Sequence, residues 1–299
     1  MFETKVDRRQ FLTLGAVGGG AVFMSGLFPH VEASAAAAAE EFYFVQLSDC
    51  HWGYKGEANP DAANTLKKAV ATVNALPTAP DFVFFTGDLT NVTDDPEERR
   101  QRMTEFRDIV RGLNVKTVRF IPGEHDASLD RGVAFKEFFG PTYYAFDHRG
   151  VHFIALDNVS DPGARIGEEQ LDWLRKDLAT QRKDARLVVL THRPLFDLAP
   201  QWDWATRDGD KVLHLLMPYS NVAVFYGHIH QEHHHQTGHI AHHAAKSLIF
   251  PLPAPGSQEK RTPLAWDPAA PNKGLGWREI EVAPKPAQVK MTEFPVTRS

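Results

Sequence analysis

The sequence predicts an α/β fold built on a layered central sheet. Two observations carry this expectation. Short apolar runs without polar alternation, Phe82-Val83-Phe84-Phe85 and Arg186-Leu187-Val188-Val189-Leu190, read as strands covered on both faces. Between them lie stretches with apolar residues at helical spacing. Strands alternating with helices favour a partly parallel sheet with helices outside.

In order, Phe42–Leu47 reads as the first buried strand. Asn59-Pro60-Asp61 starts a helix over Asp61–Ala75, with Leu66, Ala69, Val70 and Val73 on its apolar side, and Pro77 and Pro80 stop it. Phe82–Phe85 is the second strand. Pro96–Arg111 is a charged amphipathic helix turned inward by Met103, Phe106, Ile109 and Val110. Thr117–Ile121 is the third strand, ended by Pro122-Gly123. A short helix over Phe135–Phe139 meets Gly140-Pro141. Tyr143–Phe146 and Val151–Leu156 flank a turn and read as a hairpin. Then come a helix over Glu168–Ala179, the strand Arg186–Leu190, a helix over Lys211–Met217 and the strand Val222–Tyr226. Glu232, His233, His234, His235, His239, His242 and His243 fall in a His-rich stretch, read as a polar hairpin. After Ile249 the chain is rich in Pro and Gly, and Trp277–Val282 and Gln288–Met291 alternate as exposed-face strands do.

The chain has 299 residues, a formal net charge of −5 and a single cysteine, Cys50. That charge gives no argument for a nucleic-acid or membrane-surface partner. One thiol forms no intramolecular disulfide and no zinc-finger or iron–sulfur site, so a packed core must hold the fold. Fifteen histidines are many for this length, and most follow residue 190.

Residues 1–40 are read as a targeting segment, followed by one domain over 41–299. Arg8-Arg9 with Phe11-Leu12, a mildly apolar stretch to Phe28, and Ala33-Ser34-Ala35 resemble a twin-arginine export signal with its cleavage site. Asp7 and Thr13 depart from the usual pattern. The resemblance implies a bacterial protein exported by the twin-arginine machinery to the periplasm or beyond, with no membrane attachment after cleavage. An uncleaved anchor is the alternative.

Five buried strands are followed by segments that carry Asp, Glu and His: Asp49-Cys50-His51, Gly87-Asp88, Gly123-Glu124-His125-Asp126, Thr191-His192 and Gly227-His228-Ile229-His230. In open α/β sheets, ligands bind at the carboxyl ends of strands. In extended chain, residues i and i+2 point the same way, so Asp49 with His51, and His228 with His230, can face one point. A mixed oxygen and nitrogen set of this size suits two ions such as Mn, Fe or Zn rather than a calcium cage. Asp157-Asn158 also ends a strand near this edge.

This motif set resembles the calcineurin-like metallophosphoesterases over roughly residues 42–235. The resemblance implies a four-layer α-β-β-α sandwich, two packed mixed sheets flanked by helices, with a dinuclear metal site. It implies that Asp49, His51 and His230 bind the first ion, Asp88 bridges, and His192 and His228 bind the second. His125 would protonate the leaving group, with Asp126 orienting it. A metal-bound hydroxide would then cleave a small-molecule phosphate ester. Glu124 stands where the family usually carries Asn, and is expected to ligate. With three carboxylates, two divalent ions and a hydroxide, the site sums to about zero instead of about one positive charge. That leans the expectation toward phosphodiesters, and toward a mixed pair of Fe(III) with a divalent ion. The alternatives are a phosphomonoesterase, or a non-catalytic or redox dinuclear metal-binding protein on the same fold.

Overall fold

The structure, a computed structural model, describes residues 22–24, 41–282 and 289–296. The proposed export segment and cleavage site therefore lie outside the described residues, apart from Val22–Met24. Among the described residues no helix is long and apolar enough to cross a membrane.

Among the described residues, twelve strands form two six-stranded sheets. They are β1 (Val22–Met24), β2 (Phe42–Leu47), β3 (Phe82–Thr86), β4 (Val118–Ile121), β5 (Tyr144–His148), β6 (Val151–Ala155), β7 (Arg186–Leu190), β8 (Asn221–Tyr226), β9 (His233–Thr237), β10 (Ile240–Ala244), β11 (Gly276–Val282) and β12 (Val289–Pro295). The first sheet runs β1-β12-β11-β2-β3-β4 and the second β5-β6-β7-β8-β10-β9. β2, β3 and β4 are parallel, as are β6, β7, β8 and β10, while the remaining pairings are antiparallel. Both sheets are mixed, as expected.

Helices α1 (Ala62–Asn74), α2 (Pro96–Val110), α3 (Glu124–Ala127), α4 (Val133–Phe139), α5 (Gly167–Ala179) and α6 (Gly209–Leu216) fall where the apolar periodicity puts them, except α3. Leu66 and Val70 of α1, Met103 and Phe106 of α2 and Phe135 of α4 pack on one face of the first sheet. Leu171 and Leu174 of α5 and Val212 and Leu216 of α6 cover the second sheet. Between the sheets sits a third core of Phe42, Phe44, Phe82, Phe84, Phe153 and Phe225 with aliphatic neighbours. This is the four-layer α-β-β-α sandwich. Phe44 stacks on Phe82 at 4.9 Å and meets Phe153 and Phe225 edge-on at 5.6 and 6.1 Å, so aromatic contacts join the sheets.

One expectation fails. β11 is not an exposed-face strand but an interior one between β2 and β12, buried at six of its seven positions. Its alternation is real, yet the polar residue Arg278 points inward. Fully buried, its Nε lies 2.6 Å from Glu293 Oε1 and its Nη2 donates to the Ala244 carbonyl of the second sheet. A buried charge is tolerable when paired and hydrogen-bonded, and composition alone does not reveal the pairing.

A second buried pairing ties α5 to the second sheet. His152 Nδ1 lies 2.7 Å from Asp147 Oδ1, and its Nε2 lies 2.8 Å from Asp177 Oδ2 on α5. Burial disfavours the charged ring, but the two carboxylates outweigh it and raise its pKa above the usual imidazole value. A folded-state pKa above the unfolded one stabilises fully below the unfolded value, and that stability fades as pH rises through the folded value. Urea unfolding of wild type and His152→Gln should therefore show the largest gap below about pH 6, shrinking toward pH 9. A gap that is constant with pH would contradict the pairing.

Candidate metal centre

The parallel strands of both sheets end at one edge, and the loops leaving them carry the predicted residues. The loops after β2 and β3 stay in step: Asp49 N–H donates to Gly87 O, His51 N–H to Asp88 O and Trp52 N–H to Leu89 O, at 2.9–3.0 Å. The chain here is not extended. Asp49, His51, Asp88, His228 and His230 all have φ between 43° and 66° and supply five of the nine non-glycine residues with positive φ among the described residues. The i, i+2 pairs do converge, but through left-handed residues and not through strand alternation. Such conformations cost on the order of 1–3 kcal/mol each and gather at functional sites.

Two motif glycines are required by close approach. Gly87 has φ 94°, and a Cβ there would lie 2.3 Å from His192 Nδ1. A Cβ on Gly123 would lie 2.1 Å from Asp88 Oδ1. Gly123 caps the one-turn helix α3, from which Glu124 and His125 project.

All seven predicted ligands come together. Ligand atoms of Asp49, His51 and His230 lie within 4.8 Å of one another, and so do those of Glu124, His192 and His228. Asp88 joins the two triads, its Oδ2 lying 3.4 Å from His51 Nε2 and 3.5 Å from His192 Nε2. Glu124 Oε1 lies 2.9 Å from His228 Nδ1, and its Oε2 lies 2.9 Å from His192 Nε2. The latter two atoms are buried and make no hydrogen bond despite their approach. His51 Nε2 faces His230 Nε2 at 3.2 Å, with Asp49 Oδ1 3.4 Å from the latter. Buried polar atoms normally find partners. Ligand atoms gathered at common points, with Glu124 Oε2 and His192 Nε2 left without hydrogen-bond partners, are the arrangement that cations fit.

Neighbouring carbonyls fix the imidazoles. His192 Nδ1 lies 2.7 Å from Thr86 O, and His230 Nδ1 lies 2.8 Å from Phe250 O. These carbonyls hold the proton on Nδ1 and turn Nε2 toward the cluster. Burial, then the nearby His125, lowers the His51 pKa to about 3, leaving the ring neutral. Burial opposes a charge on His192, yet Asp88 and Glu124 raise its pKa well above the usual value. Burial would raise Glu124, but His228 and His192 hold it well below the usual carboxylate range.

His125 sits half-exposed beside the cluster, its ring 4.5 Å from that of His51, edge to face. Its Nδ1 accepts from Val92 N–H at 3.1 Å, and its own N–H donates to Asp88 Oδ1 at 2.9 Å. Asp126 does not take the expected position against the His125 ring. Its buried carboxylate accepts from the N–H groups of Gly123, Leu89 and Thr90 and from the Thr90 hydroxyl, at 2.9–3.0 Å. It locks the Gly87–Thr90 and Gly123 loops together, and Val92 orients the histidine.

Three residues outside the predicted set support the site. Asn158, at the end of β6, accepts from the N–H groups of His192 and Arg193 at 3.3 Å. Arg193 is buried beside His228, which its charge helps to lower after burial, and pairs with Asp203 at 2.7 Å. Phe250 backs both His51 and His230. Asn158 was legible as a strand end, whereas Arg193 and Phe250 carry no sequence signal.

The family model for calcineurin-like phosphoesterases matches residues 42–232, which takes in every residue of this cluster. The chain belongs to that family. It is 29% identical over 198 residues to a probable cyclic nucleotide phosphodiesterase of Rhodococcus erythropolis, covering 63% of this chain and 64% of that one. It is 34% identical over 160 residues to a 3',5'-cyclic adenosine monophosphate phosphodiesterase of Haemophilus influenzae, covering 51% and 55%. The phosphoesterase thus spans less than two thirds of either relative's length. Among solved structures, a purple acid phosphatase from yellow lupin has the same fold, with TM-score 0.65 and 16% identity over 86% of this chain and 52% of that one.

Gly123→Ala should push Asp88 from between the triads and cost about 1–3 kcal/mol of stability. Metal analysis of the folded variant is expected to show lower occupancy than wild type. Undiminished occupancy would contradict the close approach.

Proposed function

We propose that this phosphoesterase hydrolyses phosphodiesters at a two-metal centre. The observation that carries the reading is the pair of triads, Asp49–His51–His230 and Glu124–His192–His228, buried except for the part-exposed Glu124 and joined through Asp88. Asp49, His51 and His230 would hold one ion, Glu124, His192 and His228 the other, and Asp88 would touch both. Mn, Fe and Zn suit this donor set. Ions bound there supply an activated water and take up charge developing on the phosphoryl oxygens.

The protein's own groups do the rest. His125 accepts at Nδ1 from Val92 N–H, so the nitrogen left to donate is Nε2. From there a proton can pass to the departing alkoxide. Asp126 keeps α3 against the Asp88 loop, which fixes where that proton stands. Glu124 adds a third carboxylate to Asp49 and Asp88. The extra negative charge disfavours a dianionic monoester more than a monoanionic diester, and it favours a trivalent ion in one position. The names of the two curated relatives are in keeping with diester substrates.

We also propose that the chain is exported by the twin-arginine machinery, a reading supported by Arg8-Arg9 and the apolar stretch after it.

His125→Ala should lower kcat for a chromogenic diester by about 10²–10⁴-fold while metal content is unchanged. An unchanged rate would remove His125 from the reaction. Glu124→Asn should raise monoester hydrolysis relative to diester hydrolysis and shift the preference among Mn, Fe and Zn. An unchanged ratio with unchanged metal preference would show that Glu124 does not set the site's charge.

A further inference from the structure

A chain of buried polar side chains runs from between the sheets to the Asp49 carboxylate. Gln46, Thr86, Ser48 and Asp49 are all fully buried. Gln46 Nε2 lies 3.2 Å from the Tyr226 carbonyl, which only accepts, and this sets the orientation of the amide. The same nitrogen donates to Thr86 Oγ1 at 3.0 Å. The Thr86 proton then goes to Ser48 Oγ at 2.8 Å, since the competing Leu47 carbonyl is 3.5 Å away. The Ser48 proton goes in turn to Asp49 Oδ2 at 2.5 Å, against 3.5 Å to the Thr86 carbonyl. A donor amide at one end and an acceptor carboxylate at the other fix the direction of the chain, and each bond strengthens the next.

This chain makes the two Asp49 oxygens unequal. Oδ2 accepts from Ser48 and shares the His228 N–H with Oδ1, at 3.1 Å to each. Oδ1 has only the shared N–H and faces the ligand cluster, 3.4 Å from His230 Nε2 and 3.9 Å from His192 Nε2. Gly227 closes over the Ser48 side. A Cβ there would lie 2.0 Å from Ser48 Oγ and 2.7 Å from Asp49 Oδ2. The glycine that opens the last ligand-bearing motif thus packs its backbone directly against the Ser48–Asp49 bond.

We propose that Ser48 is a positioning residue for the ion held by Asp49. Its hydroxyl, aligned by Thr86 and Gln46, occupies Asp49 Oδ2 and leaves Oδ1 as the ligating oxygen. Ligation through one oxygen suits a transition ion held among imidazoles. A carboxylate offering both oxygens turns the site toward Ca(II), which takes more oxygen ligands and accepts bidentate carboxylates. The chain from Gln46 therefore helps to select the ion as well as to place its ligand. This deepens the two-metal reading and rests on it.

The test loads full-length protein with saturating Mn(II) and adds Ca(II), following released Mn(II) by electron paramagnetic resonance. At saturation the displacing concentration reads the ratio of the two affinities, so damage that weakens both ions equally does not move it. Ser48→Ala should shift the displacement curve of one of the two ions about fivefold or more toward lower Ca(II). Thr86→Val keeps the shape of the side chain but takes away the donor that aligns Ser48, and should give a smaller shift in the same direction. Thr86→Ser, which restores a hydroxyl, should recover most of that shift. A curve unmoved in Ser48→Ala, or unmoved in Thr86→Val should Ser48→Ala not fold, would overturn the proposal. Failure of the two-metal reading would show separately, as a wild type that binds one Mn(II) before Ca(II) is added, while displacement of that ion still reports on Ser48.

Discussion

Seven ionisable side chains crowded together, six of them buried and Glu124 part-exposed, are the constraint on which this structure depends. Asp49, Asp88 and Glu124 bring three negative charges to one edge of the sandwich, against four imidazoles of which His51 is held neutral by its burial. Buried carboxylates must be neutralised by protons, by cationic partners or by metal ions. Asp88 and Glu124 answer part of that charge by raising the His192 pKa well above its usual value, which favours an added proton where no cation is bound. Cations between the triads would supply the rest and displace that proton, since imidazoles ligate in the neutral form.

The rest of the fold can be understood as what holds this cluster against its own repulsion. The inter-sheet aromatic core fixes the distance between the strand ends of the two sheets. Five left-handed ligand residues place strain at the site itself, and strain of that kind persists only where the surroundings over-determine it. The surroundings here include the loop-to-loop backbone bonds of Asp49 and His51, the four donors gathered by Asp126, and the carbonyls of Thr86 and Phe250 behind two imidazoles. Glycines at 87 and 123 let the loops approach more closely than any side chain would allow.

Much of this was legible in the sequence, for physical reasons. The buried strands lack alternation, so β2, β3, β7 and β8 stand out, and the residues that follow them mark the edge where ligands gather. That placement gathers the Asp, Glu and His candidates, and the family resemblance implies which seven of them are ligands. What escaped depends on long-range partners. β11 looks half-exposed because Arg278 alternates with apolar residues, and only its pairing with Glu293 explains its burial. Asp126 follows His125 in sequence, but α3 turns its carboxylate onto the neighbouring loop. The i, i+2 spacing of the ligand pairs pointed to convergence, while the left-handed backbone that produces it has no residue signature in Asp or His. Phe250 lies in a Pro- and Gly-rich stretch whose path no periodicity predicts.

The central claim is that two ions lie within this cluster with Asp88 between them. Anomalous diffraction from crystals of the metal-loaded protein, recorded at the absorption edges of the bound metals, tests it most directly. The account predicts two anomalous peaks, one among Asp49, His51 and His230 and one among Glu124, His192 and His228, with an Asp88 oxygen touching both. A single peak, or a second ion that does not contact Glu124, would contradict it.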